Sequence, residues 1–266
     1  MQKPKTLILR TAGTNCDKET KFAFELAGAS ADLVHINQII RKEKSLSDYA
    51  ILALPGGFSY GDDVAAGKIL ANELVFRLKD ELVKFLKAGK LIIGICNGFQ
   101  VLVKSGILST DSVSFRQDFS LINNDCGKFE DRWTYLRIAD YGSGVRKCVW
   151  TKNLQEMIHL PVAHGEGKFI AKDKKILENL KENGQVVFQY CNHQGKFTGY
   201  PDNPNGSVDN VAGICDNSGR VFGLMPHPER HILGTHHPRW MREGLKKEGD
   251  GLAIFRNGVE YAKKNL

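Results

Sequence analysis

The chain is 266 residues long, 42% hydrophobic and 25% charged, which fits one large or two small globular domains with room for a sizeable core. It contains no run of about 18 apolar residues, which argues against a membrane-spanning helix, and no internal repeat or low-complexity tract. The net charge of +7 has no nucleic-acid-binding motif beside it, so it reads as a mildly basic surface facing solvent, an acidic partner or an anionic substrate.

In chain order, the first half alternates strand and helix. Residues 6–9 predict a strand and 17–27 a helix closed by Gly28. Residues 31–36 predict the next strand, and 50–54 a third that runs into the glycine loop Pro55-Gly56-Gly57. Leu74, Val75, Leu78, Leu82, Phe85 and Leu86 recur at helical spacing with Gly89 just beyond, which predicts one helix. Residues 91–95 predict a fourth strand, and 99–104 a helix. These short, wholly apolar strands are those of a parallel sheet buried on both faces, where catalytic groups belong at the carboxyl ends of the strands. Gly57 and Cys96 both fall at such ends.

The second half is richer in β-structure. Residues 115–138 and 147–151 predict strands with polar interruptions, 176–180 a short helix and 186–191 a strand. Segments 211–215 and 220–224 bracket Asp216-Asn217-Ser218-Gly219, a hairpin signal. Residues 200–210, rich in Pro, Asn, Asp and Gly, predict a loop, and 251–264 a final helix. With no linker in view, the chain reads as a single domain over residues 1–266.

The most informative stretch is Gly94-Ile95-Cys96-Asn97-Gly98-Phe99-Gln100. Small residues on both sides of a cysteine, at a strand-to-helix junction, are what a nucleophile elbow requires. The helix N-terminus then favours a thiolate. Far downstream, Met225-Pro226-His227-Pro228-Glu229-Arg230 places His227 and Glu229 two apart. In an extended segment both side chains leave on one face, so Glu229 can hold the ring by one nitrogen while the other faces the thiol. The backbone N–H groups of Gly57 and Asn97 are candidates for an oxyanion hole. Gln100, one helical turn past Cys96, faces the same side.

The other cysteines read as follows. Cys16, Cys148, Cys191 and Cys215 are expected to be small buried hydrophobes. The six cysteines, at positions 16, 96, 126, 148, 191 and 215, form no close pairs, and the first residues carry no signal-peptide pattern, so a reduced cytoplasm is expected. Adjacent His236 and His237 point different ways and do not suggest a metal site, and Arg10 and Arg230 are expected in structural ion pairs, with anion clamping as the alternative.

Together, the Pro-Gly-Gly loop, the Gly-x-Cys-x-Gly-x-Gln elbow and the His-Pro-Glu ending resemble the class I glutamine amidotransferases. The blocks Ala163-His164-Gly165-Glu166-Gly167, Asn203-Pro204-Asn205-Gly206-Ser207 and Ala212-Gly213-Ile214-Cys215 narrow the resemblance to glutaminase subunits of phosphoribosylformylglycinamidine synthases. The likeness spans roughly residues 5 to 260. One departure is Ala12, where that family usually carries a proline. The resemblance implies an α/β, three-layer, flavodoxin-like fold with a mostly parallel central sheet and flanking helices. It implies hydrolysis of glutamine to glutamate and ammonia by Cys96, His227 and Glu229. It implies a substrate site that includes Gly57, Asn97, Gln100 and His164, the last touching glutamine or anchoring a loop, with a purely structural hydrogen-bond role as the alternative. It also implies delivery of ammonia to a separate synthetase subunit, commonly with a third small subunit, for purine biosynthesis. No Gly-x-x-x-x-Gly-Lys-Ser/Thr loop is present, so no cofactor is expected in this chain, and ATP and magnesium are expected in the synthetase. Segment 115–151 and the stretch after Arg230 are the expected excess over compact relatives. A stand-alone cysteine hydrolase, such as a γ-glutamyl hydrolase, and a non-catalytic regulatory subunit are the alternatives.

Overall fold

The structure is a computed structural model and describes residues 3–109, 114–141 and 147–266; part of the 115–151 excess, residues 142–146, therefore lies outside the described residues. Among the described residues eleven strands occur: β1 Lys5–Arg10, β2 Ser30–His35, β3 Ile51–Leu54, β4 Leu91–Ile95, β5 Phe119–Ile122, β6 Glu130–Ile138, β7 Met157–His164, β8 Lys168–Ala171, β9 Val186–Cys191, β10 Val211–Cys215 and β11 Val221–Leu224. The helices are α1 Asp17–Leu26, α2 Ile36–Ile40, α3 Lys68–Arg77, α4 Lys79–Lys87, α5 Asn97–Lys104, α6 Lys174–Glu182, α7 Trp240–Glu243 and α8 Leu252–Asn265. None of them is long and apolar enough to cross a membrane.

Nine strands form one sheet in the order β2-β1-β3-β4-β11-β10-β9-β6-β7, and β5 pairs with β8 apart from it. From β2 to β11 the pairing is parallel; from β11 to β7 it is antiparallel. Every residue of β3, β4 and β11 is buried, as expected for parallel strands covered by helices. Phe24 of α1 meets Phe255 of α8 edge-on at 5.0 Å, joining the two helices over a core that includes Trp150.

The topology brings distant segments together. Leu54 pairs with Gly94, and Ile95 with Leu224, so β3, β4 and β11 end side by side. The glycine loop, Cys96 and the segment before His227 therefore leave the sheet at one edge, despite some 130 residues between the sulfur and the imidazole. The Cys96 N–H donates to the Leu224 carbonyl at 2.8 Å, which pins the elbow to the neighbouring strand.

Two sequence expectations are corrected. The helix expected over residues 74–86 is two, α3 and α4, separated by Leu78 with φ −126°. Leu78 still donates to Leu74 and accepts from Leu82, so one apolar stripe runs through the kink and the periodicity counts it as continuous. The strand expected over 147–151 is a 3-10 turn, Val149–Thr151. Its apolar run is buried by α8, where a Cβ on Gly258 would come 2.3 Å from the Trp150 ring, rather than by strand pairing. Strand β7 escaped notice because Pro161 sits inside it. A proline is tolerated there because β7 is the edge of the sheet.

The elbow needs its glycines for close approach. A Cβ on Gly98 would sit 1.9 Å from the Leu54 carbonyl oxygen, and one on Gly94 would sit 2.6 Å from the Gly98 carbonyl. Backbone cannot swing aside as a side chain does. Gly98→Ala is therefore expected to lower stability by about 3 kcal/mol or to abolish soluble expression, as read by thermal unfolding. An unchanged melting temperature would refute this account of the junction.

Candidate active site

Cys96 occupies the N-cap position of α5 with φ 50° and ψ −105°, a left-handed backbone that cysteine rarely adopts. The surrounding structure holds it there. The strand below fixes its N–H, and its carbonyl accepts from Gln100 N at 3.1 Å to start the helix. Such strain, overdetermined by its neighbours, lifts the side chain from the sheet at the start of α5. The thiol donates weakly to the Ala163 carbonyl at 3.5 Å.

His227 and Glu229 follow β11. The sequence spacing suggested an extended segment with both side chains on one face. Instead only His227 is extended (φ −103°, ψ 91°), and Glu229 lies in a 3-10 turn, Pro228–Arg230. The turn folds the carboxylate back onto the ring, so Nδ1 of His227 meets Oε1 of Glu229 at 2.6 Å. Both residues are 1% exposed. His227 N donates to the Pro161 carbonyl at 2.8 Å, so β7 clamps the histidine from the far end of the sheet.

Electrostatics favour a charged ring. Burial alone would deprotonate His227. The carboxylate of Glu229, with the Cys96 and Cys16 sulfurs, outweighs it and holds the imidazole well above the usual histidine range. Among the described residues Nε2 of His227 and Oε2 of Glu229 make no hydrogen bond. The ring is thus held by one nitrogen and has the other for chemistry.

The glycine loop packs against the ring, where a Cβ on Gly56 would come 2.7 Å from His227 Cε1. Gly57 has φ +139°, and a Cβ there would lie 2.8 Å from Asn15 N and Gly13 O, so only glycine fits. Among the described residues nothing accepts a hydrogen bond from the N–H of Gly57 or of Asn97. The Asn97 side chain ties the loop to α5: its Oδ1 accepts from Ser59 N at 3.2 Å, and its Nδ2 donates to Asp62 at 3.1 Å and to Gln100 Oε1 at 3.0 Å. Gln100 Nε2 in turn donates to the Glu166 carbonyl at 2.6 Å. Gln100 therefore lies beside the site with both ends of its amide engaged by the protein.

His164 ends β7 and is buried. Asn124 uses its amide nitrogen for the carbonyls of Lys128 and His164, and its Oδ1 accepts from Gly167 N, so Oδ1 is also the acceptor facing His164 Nδ1 at 3.1 Å. That fixes the proton on Nδ1 and leaves Nε2 a buried acceptor with no partner among the described residues. Burial first, and the charge of His227 second, push His164 down to about 3.

The sign of this shift makes a prediction. The folded value lies below the ordinary 6.5, so unfolding takes up a proton wherever pH is between the two, and the stability this supplies is complete above 6.5 and fades as pH falls toward 3. At pH 5 the loss amounts to about 2 kcal/mol. His164→Gln is expected to flatten the stability–pH slope between pH 6 and 4 by about 1.4 kcal/mol per pH unit, measured by urea titrations. An identical slope would show that His164 is already charged when folded.

Sequence reasoning missed several neighbours. Cys16 is buried as expected, but its sulfur lies 4.0 Å from His227 Nδ1 and accepts from Arg230 Nη2 at 3.1 Å. Arg230 also pairs with Glu19 at 3.0 Å, and Arg10 with Asp17, as structural ion pairs. Tyr190, wholly buried, is raised first by its burial and further by the Cys96 sulfur nearby. His237 shares a hydrogen bond with His159 at 3.0 Å, away from the triad. The ion pairs of Arg10 and Arg230 are those the sequence predicts; the contacts of Cys16, Tyr190 and His237 had no local motif.

Residues 3–262 match the model of the CobB/CobQ-like glutamine amidotransferase domain. A relative from Dehalococcoides mccartyi, phosphoribosylformylglycinamidine synthase subunit PurQ, is 49% identical over 265 residues, 99% of this chain and 100% of its own. The protein of the same name from Methanococcus maripaludis is 43% identical over 274 residues, 98% of each chain. Among solved structures, that of PurLQS from Thermotoga maritima superposes with a TM-score of 0.73 at 30% identity, over 98% of this chain and 99% of that one. A glutamine amidotransferase from the same organism (TM-score 0.55, 15% identity, 98% of each chain) shares the fold.

Proposed function

Because the chain belongs to the CobB/CobQ-like glutamine amidotransferases, as a glutaminase subunit of phosphoribosylformylglycinamidine synthase, we propose that Cys96, His227 and Glu229 are its catalytic triad. The observation that carries this reading is the buried 2.6 Å contact between Glu229 and His227 Nδ1, which leaves Nε2 for the nucleophile.

In this reading the Cys96 thiolate attacks the side-chain carboxamide carbon of glutamine. The N–H groups of Gly57 and Asn97 receive the oxyanion, each contributing about 3 kcal/mol to the transition state. The Nε2 proton of His227 passes to the departing nitrogen, which leaves as ammonia, and Cys96 carries a thioester. The neutral ring then takes a proton from water as it attacks the thioester carbonyl. Glutamate leaves, and the thiolate–imidazolium pair is restored. Glu229 keeps Nδ1 protonated and the ring in plane throughout.

Gln100 serves the substrate by holding the 163–167 loop against α5, and His164 serves it by offering as an acceptor its Nε2, which has no partner among the described residues. No cofactor acts in this chain. Ammonia passes to a synthetase partner, assisted by a third small subunit, where ATP and magnesium drive formation of the amidine. The six free cysteines suit a reducing cytoplasm.

A γ-diazoketone analogue of glutamine tests the assignment. It is expected to alkylate the Cys96-containing peptide stoichiometrically, as read by peptide mass spectrometry, and to do so far more slowly in His227→Gln. Modification at another cysteine, with Cys96 untouched, would overturn it.

A further inference from the structure

Behind the triad, on the Nδ1 side of the imidazole, a second thiol that amide hydrolysis does not use completes a cluster with His227 and Glu229. Cys16 Sγ, His227 Nδ1 and Glu229 Oε1 all lie within 4.8 Å of one another, and each residue is 1% exposed. The sulfur is 4.0 Å from Nδ1, and Nδ1 is 2.6 Å from the carboxylate. We propose that these three side chains form an inhibitory binding site for zinc or a zinc-like divalent ion.

The donor set decides the class of metal. A thiolate, an imidazole and a carboxylate suit zinc, whereas magnesium and calcium demand oxygen ligands throughout. Tetrahedral zinc with bonds of about 2.3 Å to sulfur and 2.0 Å to nitrogen and oxygen sets its donors roughly 3.3–3.6 Å apart. The sulfur must close on Nδ1 by about half an ångström and on the carboxylate, from at most 4.8 Å, by up to about 1.2 Å, while the carboxylate opens from Nδ1 by less than one. Two neighbours bear on the sulfur. Its proton points to Asn15 Oδ1 at 3.2 Å, and Arg230 Nη2 donates to it at 3.1 Å. The guanidinium opposes a cation by charge, yet its N–H supplies the outer hydrogen bond that coordinated thiolates commonly receive.

Charge balances on binding. The dication replaces two protons, one from the Cys16 thiol and one from Nδ1, and the ring keeps its proton at Nε2. Glu229 then grips the metal instead of the imidazole, and Nε2–H has no lone pair with which to accept a proton from water. The chain is inactive while the metal stays. Because the metal sits behind the ring and not in the glutamine pocket, inhibition does not weaken with added glutamine, and it strengthens as pH rises.

The binding test reads the metal directly and so does not depend on the triad assignment. In full-length Cys96→Ala, where the nucleophile cannot ligate, cobalt(II) is expected to produce a thiolate-to-metal charge-transfer band in the near ultraviolet. Replacing Cys16 with serine in the same background should abolish it, with circular dichroism reporting the fold. The same band in the double variant, or no band in Cys96→Ala, overturns the proposal. Should the Cys16 variant fail to fold, Glu229→Gln in the Cys96→Ala background must loosen cobalt at least tenfold; unchanged affinity also overturns it. In the complex with the synthetase, zinc should block glutamine-driven but not ammonium-driven synthesis, with recovery on chelation. Cys16→Ser should raise the half-inhibiting zinc concentration at least tenfold. Equal sensitivity would place the metal on Cys96 and Nε2 instead.

Discussion

Cys96→Ala is expected to lower glutamine-driven synthesis by the reconstituted complex by at least about 10⁴-fold while ammonium-driven synthesis continues at its original rate. The separation follows from where the sulfur sits. Cys96 stands at the carboxyl end of β4, and its backbone, not its side chain, makes the structural bonds: N–H to Leu224 and carbonyl to Gln100. Among the described residues the thiol donates weakly to the Ala163 carbonyl and interacts with the His227 imidazole. Alanine at φ 50° suffers the same left-handed backbone as cysteine, so the substitution neither relaxes the elbow nor strains it further. On the proposed assignment, what is lost is the sulfur that carries the thioester. The synthetase needs ammonia, and supplied ammonium replaces what this chain makes. The measurement is product formation with each nitrogen source at equal synthetase concentration. Loss of both activities would mean that Cys96 supports assembly of the complex rather than amide cleavage.

How far the sequence revealed this molecule depended on the range of the interaction in question. The elbow was legible because its requirements are local: two glycines where a helix backs onto β3 and β4, and a cysteine between them. His227 and Glu229 were legible as a pair, although the turn that joins them was not, since a two-residue spacing serves both an extended segment and a 3-10 turn. Their meeting with Cys96 was an expectation of the family resemblance; of the three strands that end at the site, the parallel-sheet expectation covered β3 and β4 alone, whereas 220–224 was expected only as half of a hairpin, and its parallel pairing with β4 is what brings His227 to the same end of the sheet. Strand β7 was hidden by Pro161, and with it the clamp from Pro161 to His227 and the Ala163 contact to the sulfur. Cys16 was assigned as a buried hydrophobe because burial is what sequence neighbours convey. Its approach to His227 depends on Gly56, where a Cβ would lie 2.7 Å from the ring and 3.1 Å from the Cys16 sulfur. That packing involves three segments more than thirty residues apart, and no motif encodes it.

Glu229→Gln should lower kcat for glutamine hydrolysis by about 10³–10⁴ with KM little changed. The two side chains have nearly the same shape, so the variant removes charge and acceptor strength while the buried pocket stays filled. In the native protein burial opposes the imidazolium, and the carboxylate at 2.6 Å is the first of the groups that overcome that opposition. Without it the remaining contribution comes from sulfur alone, so the ring titrates at lower pH and loses the proton it must give to the departing nitrogen. The amide can also present its NH₂ to Nδ1, turning the ring to the wrong tautomer. The stability sign follows from the same shift. A histidine raised in the folded state stabilises fully below its ordinary pKa, and that contribution disappears as pH rises through the folded value. In the variant the loss begins at lower pH, so the native protein's advantage over Glu229→Gln should shrink at alkaline pH and widen in mild acid. Paired pH profiles of kcat and of unfolding free energy measure both effects. A variant with a reduced kcat but an unmoved imidazole titration, followed by NMR, would show that Glu229 positions the ring without setting its charge, and the electrostatic half of the argument would fail.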